Sequence, residues 1–227
     1  CGIIAKNDLI SWRAVDGLAY DGLKLNYIEG TGTTKTTKSG VVVTIPKKHY
    51  DLITFKGASG QTYQYPLGVS KSDIIVNAGE LEKEFVKLPE WMKKNNKGFV
   101  IINEDSPFDV FFKAEYTGFT RGAMYSSDPI SIHTPHNALD AIYNIRHEIS
   151  HHIYNRHVKM SDWITSVDAD HKYYGRKIYP TAYAGQAPTE DFAESLRFVS
   201  MGGNYEVAMQ SGFPNRYAFL KAVIARL

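Results

Sequence analysis

Two histidines four positions apart, with a glutamate directly after the first, are the residues of this chain best suited to chemistry. They are His147, Glu148 and His151, in the pattern H-E-x-x-H. On a helix, positions i and i+4 share one face, so both imidazoles can reach a single metal ion. Glu148 then lies on the flank of that face, where its carboxylate can take a proton from water on the metal. The spacing therefore predicts a metal site that activates water.

The residues around this motif predict the helix that it requires. Asn137 can cap the start of the helix. The apolar residues of the segment fall on one side of a helical wheel, opposite the histidines: Leu139, Ile142, Ile145, Ile149 and Ile153. Such a face packs against a core and leaves the histidines to line a cleft. The alternative is an amphipathic helix with histidines at the surface. The neighbouring His152 projects off the metal face, which indicates packing or a surface position.

A second helix is predicted downstream, and it carries two glutamates on one face. A catalytic zinc site needs a third protein ligand and an open position for water. Glu190 and Glu194 lie four residues apart, after Thr189 as a potential N-cap. In one interpretation, Glu190 binds the metal and Glu194 accepts a hydrogen bond from the free ring nitrogen of a ligand histidine. In the other, both are ordinary acidic residues of a solvated helix face.

Together these motifs resemble the anthrax lethal factor type of zinc peptidase domain, a family that includes the clostridial proline-proline endopeptidases. The matching residues are His147, Glu148, His151, Tyr183, Glu190, Phe192, Ala193 and Glu194. The resemblance implies that His147, His151 and Glu190 bind Zn²⁺. It also implies that Glu148 is the general base and acid, and that Tyr183 donates a hydrogen bond to the oxyanion of the tetrahedral intermediate. Glu194 would not bind the metal itself but would orient a histidine that does.

The tyrosine of this pattern has two competitors. Tyr174 begins a Tyr-Gly-Arg stretch similar to one in the family, and Tyr179 lies close by. The seven-residue interval to Glu190 selects Tyr183 instead. The other interpretation of Tyr183 is a packed core tyrosine, since the chain has 15 tyrosines.

The resemblance also implies an α+β fold: a zincin-like metallopeptidase domain with a small mixed sheet and helices that carry H-E-x-x-H. The residue patterns predict a helix over 80–94 that breaks at Pro89, and strands over 99–102, 118–125 and 130–132. In the family an edge strand binds the substrate by backbone pairing, and here we expect that strand within residues 122–133.

Residues 1–78 are predicted to form a β-rich N-terminal region, and residues 79–227 the zinc metallopeptidase domain. Strand-like runs occupy 41–45, 50–55 and 61–65, and residues 30–40 indicate a flexible loop or hairpin tip. A separate small domain and a lobe of the catalytic part both fit the N-terminal region.

The composition allows a sizeable core and excludes some partners. The chain has 227 residues, 43% of them hydrophobic, and a formal net charge of +2. No apolar run approaches a membrane span. The basic residues near the N-terminus form no dense patch with interleaved aromatics, so nucleic-acid binding is not predicted.

Cys1 is the one cysteine of the sequence, so no disulfide can form within it. The first three residues of the chain, Cys1-Gly2-Ile3, resemble the start of class II glutamine amidotransferases, although no other motif of that family follows. An N-terminal cysteine also remains after lipoprotein processing. The third interpretation is an arbitrary start of the chain.

The sequence therefore predicts a zinc-dependent endopeptidase of protein substrates, exported from the cell as a secreted toxin or virulence protease or as a surface lipoprotein through Cys1. The main alternative is a non-catalytic toxin or interaction module with a structural zinc site, and a minor one is an amidotransferase that uses Cys1. Glu148 favours the enzyme, because a structural site needs no base beside an open coordination position.

Overall fold

The structure, a computed structural model, describes residues 2–119, 124–133 and 138–227. Cys1, Asn137 and residues 122–123 of the predicted edge strand lie outside this description, as do the side chains of 2–4, 138–140 and 142. The protein belongs to the α+β class, as predicted. It divides into two compact units, residues 1–84 with 97–142 and residues 85–96 with 143–227.

The first unit contains a mixed sheet. The strands are β1 (Ala19–Glu29), β2 (Thr34–Thr36), β3 (Val42–Thr44), β4 (Lys48–Lys56), β5 (Thr62–Pro66), β6 (Phe99–Ile102), β7 (Met124–Tyr125) and β8 (Ile130–His133). In the described part of the chain, six of these strands form one sheet in the order β1-β4-β5-β6-β8-β7. β6 runs parallel to both of its neighbours, and the other pairs are antiparallel. β2 and β3 form a separate antiparallel hairpin, at the segment predicted to be a loop or hairpin tip.

The middle of this sheet is buried, which explains its sequence. Every residue of β6 is apolar and buried, as expected for a parallel strand covered on both faces. Val100 and Ile102 pack in one cluster with Tyr27 of β1 and Leu52 of β4, two other strands of the same sheet. The predicted strand over 99–102 is confirmed, and the strand predicted over 118–125 is described only as β7.

The helices are α1 (Gly2–Ser11), α2 (Ala78–Phe85), α3 (Glu90–Lys93), α4 (Asp109–Glu115), α5 (Ala138–His157), α6 (Met160–Tyr174), α7 (Pro188–Met201), α8 (Gly203–Gly212) and α9 (Pro214–Ile224). The predicted helix over 80–94 is two helices, α2 and α3, and Pro89 caps the second. Within the described part of the chain, no helix has both the length and the apolar character needed to cross a membrane.

The core of the second unit forms around α7. This helix packs against α6, α8 and α9. Phe192 on α7 is fully buried, and its ring lies 5.1 Å from the rings of both Tyr154 and Trp163. These aromatic contacts fix the rotation of α7 about its axis, and so determine which of its side chains face away from the core.

A buried ion-pair group joins three helices of this unit. The guanidinium of Arg216 on α9 is fully buried, 3.2 Å from the carboxylate of Asp170 on α6 and 3.0 Å from that of Asp191 on α7. It also donates to the carbonyl oxygen of Ile178, in the segment between α6 and α7. Because an unpaired buried charge is costly, these contacts restrict how the three helices can pack.

The predicted boundary after residue 78 separates strands that share one sheet. Tyr63 of β5 is in register with Phe99 of β6, across that boundary. The assignment of residues 1–78 as a region with its own role, beside a peptidase domain at 79–227, stays a prediction.

Candidate metal centre

Helix α5 carries its two histidines one turn apart, His147 buried and His151 partly buried. The apolar residues described on the other side of the helix are fully buried: Ile145, Ile149 and Ile153. The predicted amphipathic arrangement is confirmed for these residues, whereas Leu139 and Ile142 have side chains outside the described part. His152 is 4% exposed, so packing, not the surface, is its role here.

Helix α7 brings Glu190 and Glu194 to the same site. The helix begins at Pro188, because the fixed φ of proline suits the first helical position. The cap residue is Ala187, so the prediction of Thr189 as N-cap is wrong. The proline starts the helix before Thr189 is reached.

The three predicted metal ligands meet at one point. His147 Nε2 lies 2.9 Å from Glu190 Oε2 and 3.1 Å from His151 Nε2, and His151 Nε2 lies 3.3 Å from Glu190 Oε2. With zinc–ligand bonds of about 2.0–2.1 Å, a tetrahedral site has neighbouring ligand atoms about 3.3 Å apart. The two imidazoles and one carboxylate therefore fit Zn²⁺ in both donor type and spacing. Among the described residues, no other three His, Cys, Asp or Glu side chains converge in this way.

The second ring nitrogen of His147 is held by Glu194. His147 Nδ1 lies 3.0 Å from Glu194 Oε2. A carboxylate at this place accepts the Nδ1 proton, so the lone pair of the neutral ring is on Nε2, the nitrogen that faces Glu190 and His151. An outer carboxylate of this kind is the usual partner of a metal-binding histidine.

The charges around His147 favour a cation. Burial alone lowers the pKa of His147, but hydrogen bonds to Glu190 and Glu194 and the charge of Glu148 outweigh it and raise the pKa to about 9. Burial raises the pKa of Glu190, but the two histidines lower it to about 2. Three carboxylates around two imidazoles therefore favour additional positive charge, which a divalent ion at the Nε2 atoms supplies.

Glu148 is buried beside the histidines, at 9% exposed. It follows His147 on α5, and its negative charge raises the pKa of both His147 and Tyr183. A carboxylate close to both groups is suited to exchange protons with a molecule bound between them.

Tyr183 approaches the site from a 3-10 turn over Tyr183–Gln186. Its ring centroid lies 5.6 Å from that of His147. The residue is 46% exposed, but partial loss of water around its hydroxyl raises the pKa of Tyr183 above the usual range. The charges of Glu190 and Glu148 raise that pKa further. The phenol therefore stays protonated at neutral pH and is available as a hydrogen-bond donor.

The two competing tyrosines have other partners. The hydroxyl of Tyr174 donates to the carbonyl oxygen of Ser211 at 3.2 Å. The ring of Tyr179 packs against His171, with 5.3 Å between centroids. Of the three tyrosines, Tyr183 is the one in ring contact with His147.

Two further residues hold Glu194, and neither was predicted. Thr181 Oγ1 donates to Glu194 Oε1 at 3.0 Å, and Arg197 Nε lies 3.0 Å from Glu194 Oε2. Arg197 follows Glu194 by three residues on one helix, a spacing from which their pairing could have been predicted. Thr181 lies in a turn thirteen residues before Glu194, and no periodicity relates the two.

Comparisons with known proteins give a likeness among solved structures. No protein-family model matches the sequence, and no curated protein is significantly similar to it. Among solved structures, the chain is similar to the Pro-Pro endopeptidase PPEP-2 from Paenibacillus alvei. The similarity has 16% sequence identity and a TM-score of 0.44, and it covers 71% of this chain and 96% of that one. Both values are low, so the likeness carries no conclusion about function.

Proposed function

We propose that this protein is a zinc-dependent endopeptidase. The observation that carries the proposal is the convergence of His147, His151 and Glu190 within 2.9–3.3 Å of one another, with Glu148 buried beside them. His147, His151 and Glu190 would hold the ion, and Glu194 would orient His147. Three protein ligands leave a tetrahedral ion one open position, which is the mark of a catalytic site.

The proposed reaction is hydrolysis of a peptide bond. Zinc at this site would supply a Lewis acid that polarises the scissile carbonyl and lowers the pKa of water to about 7. Glu148 takes one proton from the water as its oxygen attacks the carbonyl carbon. Glu148 then gives that proton to the leaving nitrogen as the C–N bond breaks. The hydroxyl of Tyr183 donates a hydrogen bond to the developing oxyanion.

Binding of an extended peptide along an edge strand within residues 122–133 stays a prediction. β7, over Met124–Tyr125, lies at one edge of the sheet in the first unit, where the described residues pair it only with β8. An edge strand of this kind presents backbone groups that an added strand can use.

Export, a toxin or virulence role and a lipid anchor at Cys1 also stay predictions. The amidotransferase alternative depends on Cys1 as well, which lies outside the described residues. The structural-zinc alternative differs from the proposed enzyme in one testable respect, since it gives Glu148 no chemical task.

The deciding experiment is digestion of a diverse peptide library by three proteins, read by mass spectrometry. They are the wild type, Glu148→Gln, and Glu90→Gln as a matched change at an exposed glutamate of the same unit. We expect cuts from the wild type and Glu90→Gln, and a rate lower by about 10²–10⁴ for Glu148→Gln. A zinc-loaded wild type that makes no cuts would favour the structural site, and equal cutting by all three would exclude Glu148 as the base.

A further inference from the structure

The hydroxyl of Thr181 makes two hydrogen bonds that join two parts of the candidate site. Its oxygen accepts from the backbone N–H of Ala184 at 3.1 Å and donates to Glu194 Oε1 at 3.0 Å. The directions are fixed by chemistry. A backbone N–H can only donate, so the single hydroxyl proton is free to reach the carboxylate. Both bonds can therefore exist at once in the same rotamer.

One of these bonds shapes the turn that carries Tyr183. Ala184 is the second residue of the 3-10 turn and is 1% exposed. The first N–H groups of a helical turn have no partner within it, and a buried one needs an acceptor from outside. Thr181 supplies that acceptor, so its hydroxyl holds the turn closed immediately beside Tyr183.

The other bond acts on His147 through Glu194. Glu194 Oε1 accepts from Thr181, while Glu194 Oε2 lies 3.0 Å from His147 Nδ1. The carboxylate plane is thereby fixed from both ends. Arg197 contacts the same carboxylate, but among the described contacts it has none with the Tyr183 turn. Of these two residues, Thr181 is therefore the one that contacts both Glu194 and the turn.

We propose that Thr181 is a positioning residue, which sets the orientation of His147 through Glu194 and the place of the Tyr183 hydroxyl through the 3-10 turn. This inference rests on the proposed function, since Tyr183 and His147 must act on one substrate for their joint placement to matter. Thr181 acts through Glu194 and the 3-10 turn, since its hydroxyl contacts those two groups. Its role differs from that of Arg197, which steadies Glu194 alone.

The test compares Thr181→Val, which keeps the shape and removes the hydroxyl, with Thr181→Ser, which restores the hydroxyl. Thr165→Val is the matched control, because it removes another threonine hydroxyl, on the exposed side of α6. We expect zinc affinity, measured by competition with a chromophoric chelator, to fall about tenfold in Thr181→Val. Thr181→Ser should recover most of the affinity, and Thr165→Val should match the wild type.

Turnover of a peptide selected from the library distinguishes the effect of Thr181 on Tyr183 from its effect on His147. Thr181→Val should lower kcat at saturating zinc about tenfold with little change in KM, whereas Thr165→Val should keep the wild-type kcat. In a Tyr183→Phe background, the additional loss of kcat from Thr181→Val should shrink, because the hydroxyl that it positions is gone. Full additivity of the two changes would overturn the link to Tyr183.

Hydrogen exchange at the Ala184 amide provides a readout that needs no substrate. The structure predicts faster exchange there in Thr181→Val and normal exchange in Thr181→Ser. If the wild type binds zinc but cleaves nothing, the proposed function fails, yet exchange and zinc affinity still decide whether Thr181 joins the two elements. Unchanged exchange and unchanged affinity in a folded Thr181→Val would overturn the inference.

Discussion

Glu148 and Glu190 carry the same chemical group, but their surroundings differ. Glu190 Oε2 lies within 3.3 Å of the Nε2 atoms of both histidines. Glu148 lies on the same helix as the histidines and raises the pKa of His147 by its charge. The first arrangement suits the proposed metal ligand, and the second suits the proposed base beside the ligands.

Replacing each of the two glutamates should therefore affect a different property, zinc binding for Glu190 and turnover for Glu148. We expect Glu190→Ala to lose bound zinc, and Glu148→Gln to keep a full equivalent of zinc while losing turnover. Zinc is counted by inductively coupled plasma mass spectrometry after gel filtration. Glu90→Gln serves as the control with normal zinc and normal turnover. Full occupancy in Glu190→Ala would mean that the third ligand is another residue.

A single hydroxyl distinguishes Tyr183 from phenylalanine, and the proposed role depends on that hydroxyl. Removing one donor to an oxyanion costs about 10²–10³ in kcat. We expect a loss of this size in Tyr183→Phe, with zinc content and KM near those of the wild type. Tyr174→Phe and Tyr179→Phe are the matched controls. A larger loss of kcat in either control than in Tyr183→Phe would transfer the role to that tyrosine.

The residue types of the site could be predicted because each has a short-range signal. His147 and His151 follow helical spacing, and so do Glu190 and Glu194. Thr181 has no such signal, since its partner is thirteen residues away and its bond depends on a turn. The buried pairing of Asp191 with Arg216 has no short-range signal either, since the two residues are 25 positions apart.

At the scale of elements, α7 is held by the buried group around Arg216. The guanidinium contacts Asp191, the neighbour of Glu190, and also Asp170 on α6. It donates in addition to the carbonyl of Ile178, a few residues before the Tyr183 turn. One side chain thus fixes both segments that bring α7 and Tyr183 to the site.

Removing that side chain should destabilise the protein strongly. We expect Arg216→Met to lower the free energy of unfolding by about 3–5 kcal/mol, because two buried carboxylates lose their cation. Arg226→Met, at an exposed position near the chain end, is the control and should change it by less than about 0.5 kcal/mol. Urea denaturation followed by circular dichroism measures both. A small effect in Arg216→Met would mean that the carboxylates are protonated or hydrated.

Elements with a regular pattern were predictable, and elements with an interrupted one were not. The apolar run of β6 and the break between α2 and α3 at Pro89 were both predicted. β1 was missed because its register with β4 shifts between Tyr20 and Gly22 and again between Lys24 and Tyr27. Such irregularities remove the alternation by which a half-buried strand is recognised.

For the molecule as a whole, zinc would link α5 to α7 across the second unit. A ligand at about 1,000 times its Kd adds about 4 kcal/mol to the stability of a folded protein, which for this size shifts Tm by on the order of 10 °C. We expect a chelator to lower Tm by that amount in the wild type and in Glu148→Gln. Glu190→Ala should show the lower Tm with or without chelator, and differential scanning calorimetry makes the comparison. A wild-type Tm that ignores the chelator would contradict zinc binding.

The pairing of distant strands is harder to predict than the strands themselves. Pairing between β5 and β6 joins strands that are more than thirty residues apart in sequence, on opposite sides of the predicted boundary at residue 78. A parallel pair needs a long connection, and nothing in either strand identifies its partner. Residue patterns report local periodicity, so they predict single helices and strands but do not identify which distant strands pair.

The two four-residue intervals at the site have a consequence for how this sequence can change over evolutionary time. Inserting or deleting one residue between His147 and His151, or between Glu190 and Glu194, would rotate the second side chain by about 100° around its helix and remove it from the site. Between His151 and Glu190 the chain has turns in which length can vary. Distant relatives should therefore keep both intervals and differ in the number of residues between them.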